Sequence, residues 1–173
     1  MLGDSGVGKM SLVKYEIKND FINNRDSTII LEHSLENFSI LDKIVRLQIW
    51  DTCGQEIYHA SMKNFYRSAL CIVVVFSLDS LDLFYNINKW ITEIKNNCSE
   101  EPILVLIGTK SDLTRPRIIP RELINDYCPK TGENVHAIFE NLVKQLFIKY
   151  VMPIIDNNKN KDEEKENSSP SSK

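Results

Sequence analysis

Two unbroken apolar runs constrain this chain more than anything else in it. Leu70–Phe76 (LCIVVVF) and Pro102–Gly108 (PILVLIG) are short and rich in β-branched residues. Apolar runs without a polar alternate suit strands covered on both faces, as in a parallel sheet between layers of helices. Helices for those layers are also legible. Leu83, Phe84, Ile87, Trp90, Ile91 and Ile94 fall on one helical face, and Val135, Ile138, Phe139, Leu142, Leu146 and Phe147 repeat the pattern near the C-terminus. Strands alternating with helices predict an α/β fold. With 173 residues and no internal repeat, the chain is about one domain long.

In such sheets ligands bind at the carboxyl ends of the strands. The stretch Gly3-Asp4-Ser5-Gly6-Val7-Gly8-Lys9-Met10 reads as a phosphate-binding loop of the form G-x-x-x-x-G-K-[ST], with methionine at the hydroxyl position. Backbone N–H groups of such a loop cradle phosphates, and its lysine reaches the terminal ones. Leu12, Val13, Ile17 and Phe21 follow at roughly helical spacing, so a helix from Lys9 to about Asn19 is expected to point its N-terminus at the phosphate site. Phe38–Leu41 and Ile44–Trp50 read as strands of a hairpin turning at Asp42-Lys43, with Val45, Leu47 and Ile49 alternating against Arg46, Gln48 and Trp50.

Two downstream segments narrow the chemistry. Asp51-Thr52-Cys53-Gly54-Gln55 ends the second hairpin strand, where a carboxylate can reach a metal and Gln55 can orient an attacking water. Thr109-Lys110-Ser111-Asp112 leaves the end of the second buried run. A carboxylate there can accept from both the ring N–H and the exocyclic amine of guanine, a donor pair that adenine lacks. All three segments are expected to converge on one crevice at the strand ends.

Leu47–Glu56 (LQIWDTCGQE), Phe65–Ala69 (FYRSA) and Lys130–Val135 (KTGENV) carry a family resemblance. With the phosphate loop they make the chain similar to small GTPases of the Ras superfamily, and most of all to the Rab branch, from Gly3 to about Tyr150. The resemblance implies a P-loop small G-protein fold, a mostly parallel sheet with flanking helices. It implies that Gly3, Ser5, Gly6, Val7, Gly8 and Lys9 wrap the β- and γ-phosphates, that Met10 and Ser11 are nucleotide-binding positions, that Thr28 contacts Mg²⁺ and the γ-phosphate, and that Asp51 holds Mg²⁺ through water. Gly54 would contact the γ-phosphate and Gln55 would be catalytic, while Thr109, Lys110, Asp112, Cys128, Pro129 and Lys130 would surround the guanine. Two switch segments, Asn23–His33 and Gly54–Tyr66, would then read GTP against GDP for effectors, exchange factors and GTPase-activating proteins.

The chain departs from the family pattern in several places. Met10 stands where a Ser or Thr hydroxyl coordinates Mg²⁺, and a thioether is a poor ligand for so hard a cation. Ser11 is next to it but turned by about 100° on a helix. Only Met1 and Leu2 precede the loop, so the first strand is expected to be truncated, leaving two unpaired inner edges. The segment between Asp112 and Cys128 is shorter than the family's helix and strand, leaving room for a short helix at Arg121–Asp126. Ile30 and Glu32-His33 replace a Gly and an Asp-Phe pair of the first switch, and Cys128-Pro129-Lys130 replaces Ser-Ala-Lys.

Composition excludes several classes. A net charge of −3 gives no electrostatic reason for a nucleic-acid partner. The cysteines, Cys53, Cys71, Cys98 and Cys128, lack metal-site spacing and suit a reduced, cytoplasmic chain. No run approaches the ~18 apolar residues of a membrane span. No cysteine follows Cys128, so no prenylation site and no stable membrane anchor are expected, and endomembranes would be reached through partners. The expected organisation is a GTPase domain over residues 1–152 and a disordered polar tail over 153–173. The expected function is a Rab-like GTPase switch in vesicle trafficking. The alternatives are a pseudo-GTPase acting as a soluble interaction module, or a truncated, non-functional product.

Overall fold

A computed structural model of the chain describes residues 1–18, 32–51, 59–110, 119 and 135–157. Its elements run α1 (Lys9–Lys18), β1 (Glu32–Ile40), β2 (Lys43–Asp51), α2 (His59–Ser68), β3 (Cys71–Ser77), α3 (Leu81–Tyr85), α4 (Ile87–Asn97), β4 (Ile103–Thr109) and α5 (Val135–Leu146). A π-helical turn, Phe147–Val151, continues α5.

β3 and β4 pair in parallel from Cys71↔Ile103 to Ser77↔Thr109. β3 is buried from Ile72 to Ser77, as an unbroken β-branched run demands. β4 follows the expectation less fully. Leu106 and Ile107 are buried but Leu104 is 42% exposed, because among the described residues β4 has a strand partner only in β3. Leu70 and Pro102 lie just before these strands rather than in them, and Leu70 is exposed.

β1 and β2 form the expected antiparallel hairpin, in register from Glu32↔Asp51 to Ile40↔Lys43. Its turn is Leu41-Asp42, one residue earlier than Asp42-Lys43, with φ of 47° and 58°. Two-residue hairpin loops favour positive φ at both central positions, and Asp adopts that conformation more readily than Lys. Between the hairpin and the parallel pair lie Met1 and Leu2. Leu2 bridges Val74 in parallel, donating to Val73 O (2.7 Å) and accepting from Val75 N (2.8 Å), while the Met1 amine donates to Trp50 O. Among the described residues the expected first strand is this single bridge.

Two cores sandwich β3. On one face Ile72, Val74 and Phe76 pack with Phe84, Ile87, Trp90 and Ile94 of α3 and α4, with Tyr66 of α2 and with Ile119. On the other, Val73 and Val75 pack with Val7, Leu12 of α1, Ile107, and Leu142 and Val143 of α5. Helices on both sides of a parallel pair give the expected α/β layering. The helix expected through Leu83–Ile94 is two helices that meet at Asn86, and Leu83 packs with the second core while Phe84, Ile87, Trp90, Ile91 and Ile94 pack with the first.

Residues 152–157 are helical, so the first five positions of the expected tail, 153–157, belong to an ordered extension of α5. The remainder of the tail, the region between Asp112 and Cys128 apart from Ile119, and the proposed Arg121–Asp126 helix lie outside the described residues.

Candidate functional site

The loop Gly3–Gly8 leaves Leu2, which pairs with β3, and enters α1, where Leu12 N–H bonds Gly8 O at 3.1 Å. Its glycines supply the backbone that this path requires: φ is 139° at Gly3, 75° at Gly6 and 98° at Gly8. At Gly3 the requirement is also steric, since a Cβ would sit 2.2 Å from Val75 O. Lys9, the first residue of α1, is 7% exposed, and its Nζ donates to Gly3 O (2.7 Å) and Asp4 O (2.9 Å). The ammonium is thereby drawn across the loop that precedes it. Ser5 and Gly6 are exposed, Val7 is buried, Met10 is half-buried and Ser11 is exposed.

The loop is tied to the strand ends. Thr109 Oγ1, at the end of β4, donates to Val7 O in a short hydrogen bond and to Phe76 O at 3.0 Å. The same residue's carbonyl accepts from Leu78 N (3.0 Å), and its side chain is the nearest neighbour that a Cβ on Gly8 would meet, at 3.7 Å. On the loop's other flank Asn86 Nδ2 donates to Asp4 Oδ2 at 2.9 Å, fixing the junction of α3 and α4 against it. That contact joins residues 82 positions apart, and no local pattern announces it.

Asp51, at the end of β2, is 3% exposed and stands near enough to the Met1 amine to act on it electrostatically, as Lys9 does. Lys110 follows β4 with φ 60°, and its Nζ lies 3.6 Å from Asp79 Oδ2. Asp79 also accepts a short hydrogen bond from the buried Ser77 hydroxyl. That bond, first, and the Lys110 charge hold the Asp79 carboxyl below its ordinary value against the opposing cost of burial. Asp79 and Ser77 were not among the residues expected from sequence. The available signal was their place at a strand's carboxyl end, where ligand crevices form.

Of the expected site residues, then, the structure brings Gly3, Ser5, Gly6, Val7, Gly8, Lys9, Met10, Ser11 and Thr109 together around one loop, with Lys110 next to Thr109 at the end of β4. Asp51 borders them through Met1. Thr28, Gly54, Gln55, Asp112, Cys128, Pro129 and Lys130 lie outside the described residues. Parts of both expected switch segments are described: Glu32 and His33 open β1, and His59–Tyr66 lies in α2. They meet in a row of rings, His33 to Trp50 at 5.1 Å and Trp50 to Phe65 at 4.9 Å between centroids. Tyr66, the next residue of α2, donates its hydroxyl to Glu93 of α4 at 2.9 Å, and burial with that bond pushes its pKa upward.

The sequence model of the Ras family matches residues 1–149. The chain belongs to the Ras family. This Ras-family chain is 35% identical over 158 residues to Ras-related protein RABA1h of Arabidopsis thaliana, covering 85% of this chain and 72% of the relative. It is 30% identical over 158 residues to Ras-related protein rab-11.1 of Caenorhabditis elegans (85% and 75%). To Ras-related protein Rab-2B of Dictyostelium discoideum it is 33% identical over 160 residues (86% and 79%). Family membership agrees with a P-loop small G-protein fold, its parallel strands flanked by helices. No helix among the described residues is long and apolar enough to cross a membrane.

The loop turns at Gly3, Gly6 and Gly8 with open space where a Cβ of Gly6 would lie and Lys9 at its end, a donor set of the kind that suits phosphates. The fit to Mg²⁺ is partial. Asp51 is a hard oxygen donor at a strand end, whereas Met10 places a soft sulfur where α1 begins.

Proposed function

We propose that this chain is a Rab-like guanine-nucleotide switch serving vesicle trafficking, with the nucleotide's phosphates held by Gly3–Lys9. The observation that carries the reading is the glycine loop closed by buried Lys9 and bonded through Thr109 to the ends of the parallel strands. In this reading Lys9 and the loop N–H groups bind the β- and γ-phosphates, and Met10 and Ser11 line the loop's exit. Lys110, Asp112 and Cys128-Pro129-Lys130 enclose the guanine. Mg²⁺, when bound, supplies charge neutralisation at the phosphates, with Asp51 and Thr28 as the residues that hold it. Gln55 orients water and Gly54 meets the γ-phosphate. His33, Trp50 and Phe65 belong to the surface on which effectors, exchange factors and GTPase-activating proteins act.

A second reading is favoured by one residue. Met10 withdraws a metal oxygen, which supports a nucleotide-weak pseudo-GTPase, a soluble interaction module that binds partners whichever nucleotide is present. Nucleotide analysis of the purified protein, followed by phosphate release in millimolar Mg²⁺, separates the two. Retained GDP or GTP with measurable release supports the switch; no retained nucleotide and no release contradicts it and supports the pseudo-GTPase, which a strong preference of a bound partner for the GTP form would contradict.

A further inference from the structure

We propose that Asp79 is a positioning residue of the base pocket: it anchors the Lys110 ammonium so that the lysine stem spans the adjacent carboxyl ends of β3 and β4. Lys110 leaves β4 with φ 60°, a left-handed conformation that a residue with a Cβ rarely adopts. That backbone is held from two sides, because the preceding Thr109 gives its carbonyl to Leu78 N and its hydroxyl to Val7 O and Phe76 O. The lysine's reach is therefore measured from a fixed point at the end of β4. Its charged end stops at Asp79 Oδ2, 3.6 Å away, two residues beyond the end of β3.

Asp79 is itself fixed. Ser77, fully buried at the last position of β3, donates its hydroxyl to Asp79 Oδ1, leaving Oδ2 for the lysine. A lysine whose backbone is held at the end of β4 and whose ammonium is drawn toward Asp79 lays its methylenes across the two strand ends, which suits one face of a planar base. Both members of the pair stay partly open to solvent, 36% for Lys110 and 24% for Asp79, so the pair biases the lysine's orientation without burying it. The depressed pKa of Asp79 agrees with a carboxylate that is charged whenever Lys110 is in place.

The inference rests on the guanine-nucleotide reading, since Lys110 lies on the base side only in that reading. The test measures dissociation of fluorescently labelled GDP and GTP from the full chain and from Asp79→Asn, Asp79→Glu, Lys110→Met and the Asp79→Asn/Lys110→Met double variant. Asn keeps an acceptor for Ser77 while removing the charge, so Ser77 stays satisfied. Asp79→Asn is expected to speed GDP and GTP dissociation by the same factor, about two- to fivefold, as loss of a partly exposed ion pair implies. Asp79→Glu should restore most of it. In the Lys110→Met background Asp79→Asn should change nothing, a non-additivity that a merely structural aspartate would not produce. Unchanged dissociation in Asp79→Asn, or an equal effect with and without Lys110, overturns the proposal. Failure of the unmutated chain to bind guanine nucleotide would refute the functional reading and this inference with it, and that failure appears before any variant is compared.

Discussion

Replacing Gly3 with alanine puts a methyl carbon 2.2 Å from Val75 O and 3.1 Å from Val75 C. Both atoms are backbone of β3, whose neighbours Ile72–Ser77 are all buried, so the obstacle cannot swing aside as a flexible side chain would. Gly3 also has φ 139°, where a residue with a Cβ is strained. Strain of about 1–3 kcal/mol and overpacking of about 1–3 kcal/mol give a loss of about 2–6 kcal/mol, against a total stability of ~5–15 kcal/mol. Gly6 is the internal control. Its φ of 75° carries strain of the same kind, but a Cβ there meets nothing within 4 Å. Gly6→Ala should therefore lose only about 1–2 kcal/mol. Urea unfolding followed by circular dichroism reads the difference directly. With a urea slope of about 2 kcal/mol per molar, the midpoint of Gly3→Ala should fall by about 1–3 M, and that of Gly6→Ala by about 0.5–1 M. Equal midpoints for the two variants, or a larger loss at Gly6, would refute the claim that the loop is pressed against β3 at Gly3.

Three further outcomes are expected. Met10→Ser offers a hard oxygen in place of sulfur, so the Mg²⁺ concentration that half-saturates nucleotide retention should fall about tenfold or more; an unchanged midpoint means that position 10 faces no metal. Thr109→Val removes the hydroxyl shared by Val7 O and Phe76 O and should cost about 1–2 kcal/mol, a drop in melting temperature of about 2–8 °C with faster nucleotide release. The Cys71 thiol is pushed up to about 12, chiefly by burial, so alkylation at pH 8 should be about a thousandfold slower than for a free thiol and should quicken as pH rises. Because that pKa is raised, its contribution to stability is complete below the unfolded thiol's value near 8.5 and is lost as pH climbs toward 12, which pH-dependent unfolding checks.

Short-range order was largely legible in the sequence. The run Ile72–Phe76 had to be a covered strand because nothing polar interrupts it, and the Leu12, Val13 spacing placed α1 correctly as far as Lys18. The hairpin was legible too, but its turn was displaced by a residue because neither Leu41-Asp42 nor Asp42-Lys43 is a strong turn pair. Leu104 shows the limit of the apolar-run rule: apolarity says that a strand can be buried, while its neighbours decide whether it is. The site divides along the same line. Gly3, Gly8 and Lys9 announce themselves by spacing, whereas Asp79 and Asn86 act through partners 31 and 82 positions away. Such contacts exist only once parallel strands bring their carboxyl ends together. Thr28, Gly54, Gln55, Asp112, Cys128, Pro129 and Lys130 lie outside the described residues and are known from the sequence alone.

In the proposed function this loop and its strand ends hold a guanine nucleotide. Calorimetric titration of the purified, nucleotide-stripped chain with GDP and, in parallel, with ADP in millimolar Mg²⁺ tests it most directly. GDP should bind saturably, binding should be abolished by Lys9→Met, and ADP should give no heat of binding. Equal affinity for the two nucleotides, or GDP binding that survives Lys9→Met, would contradict it.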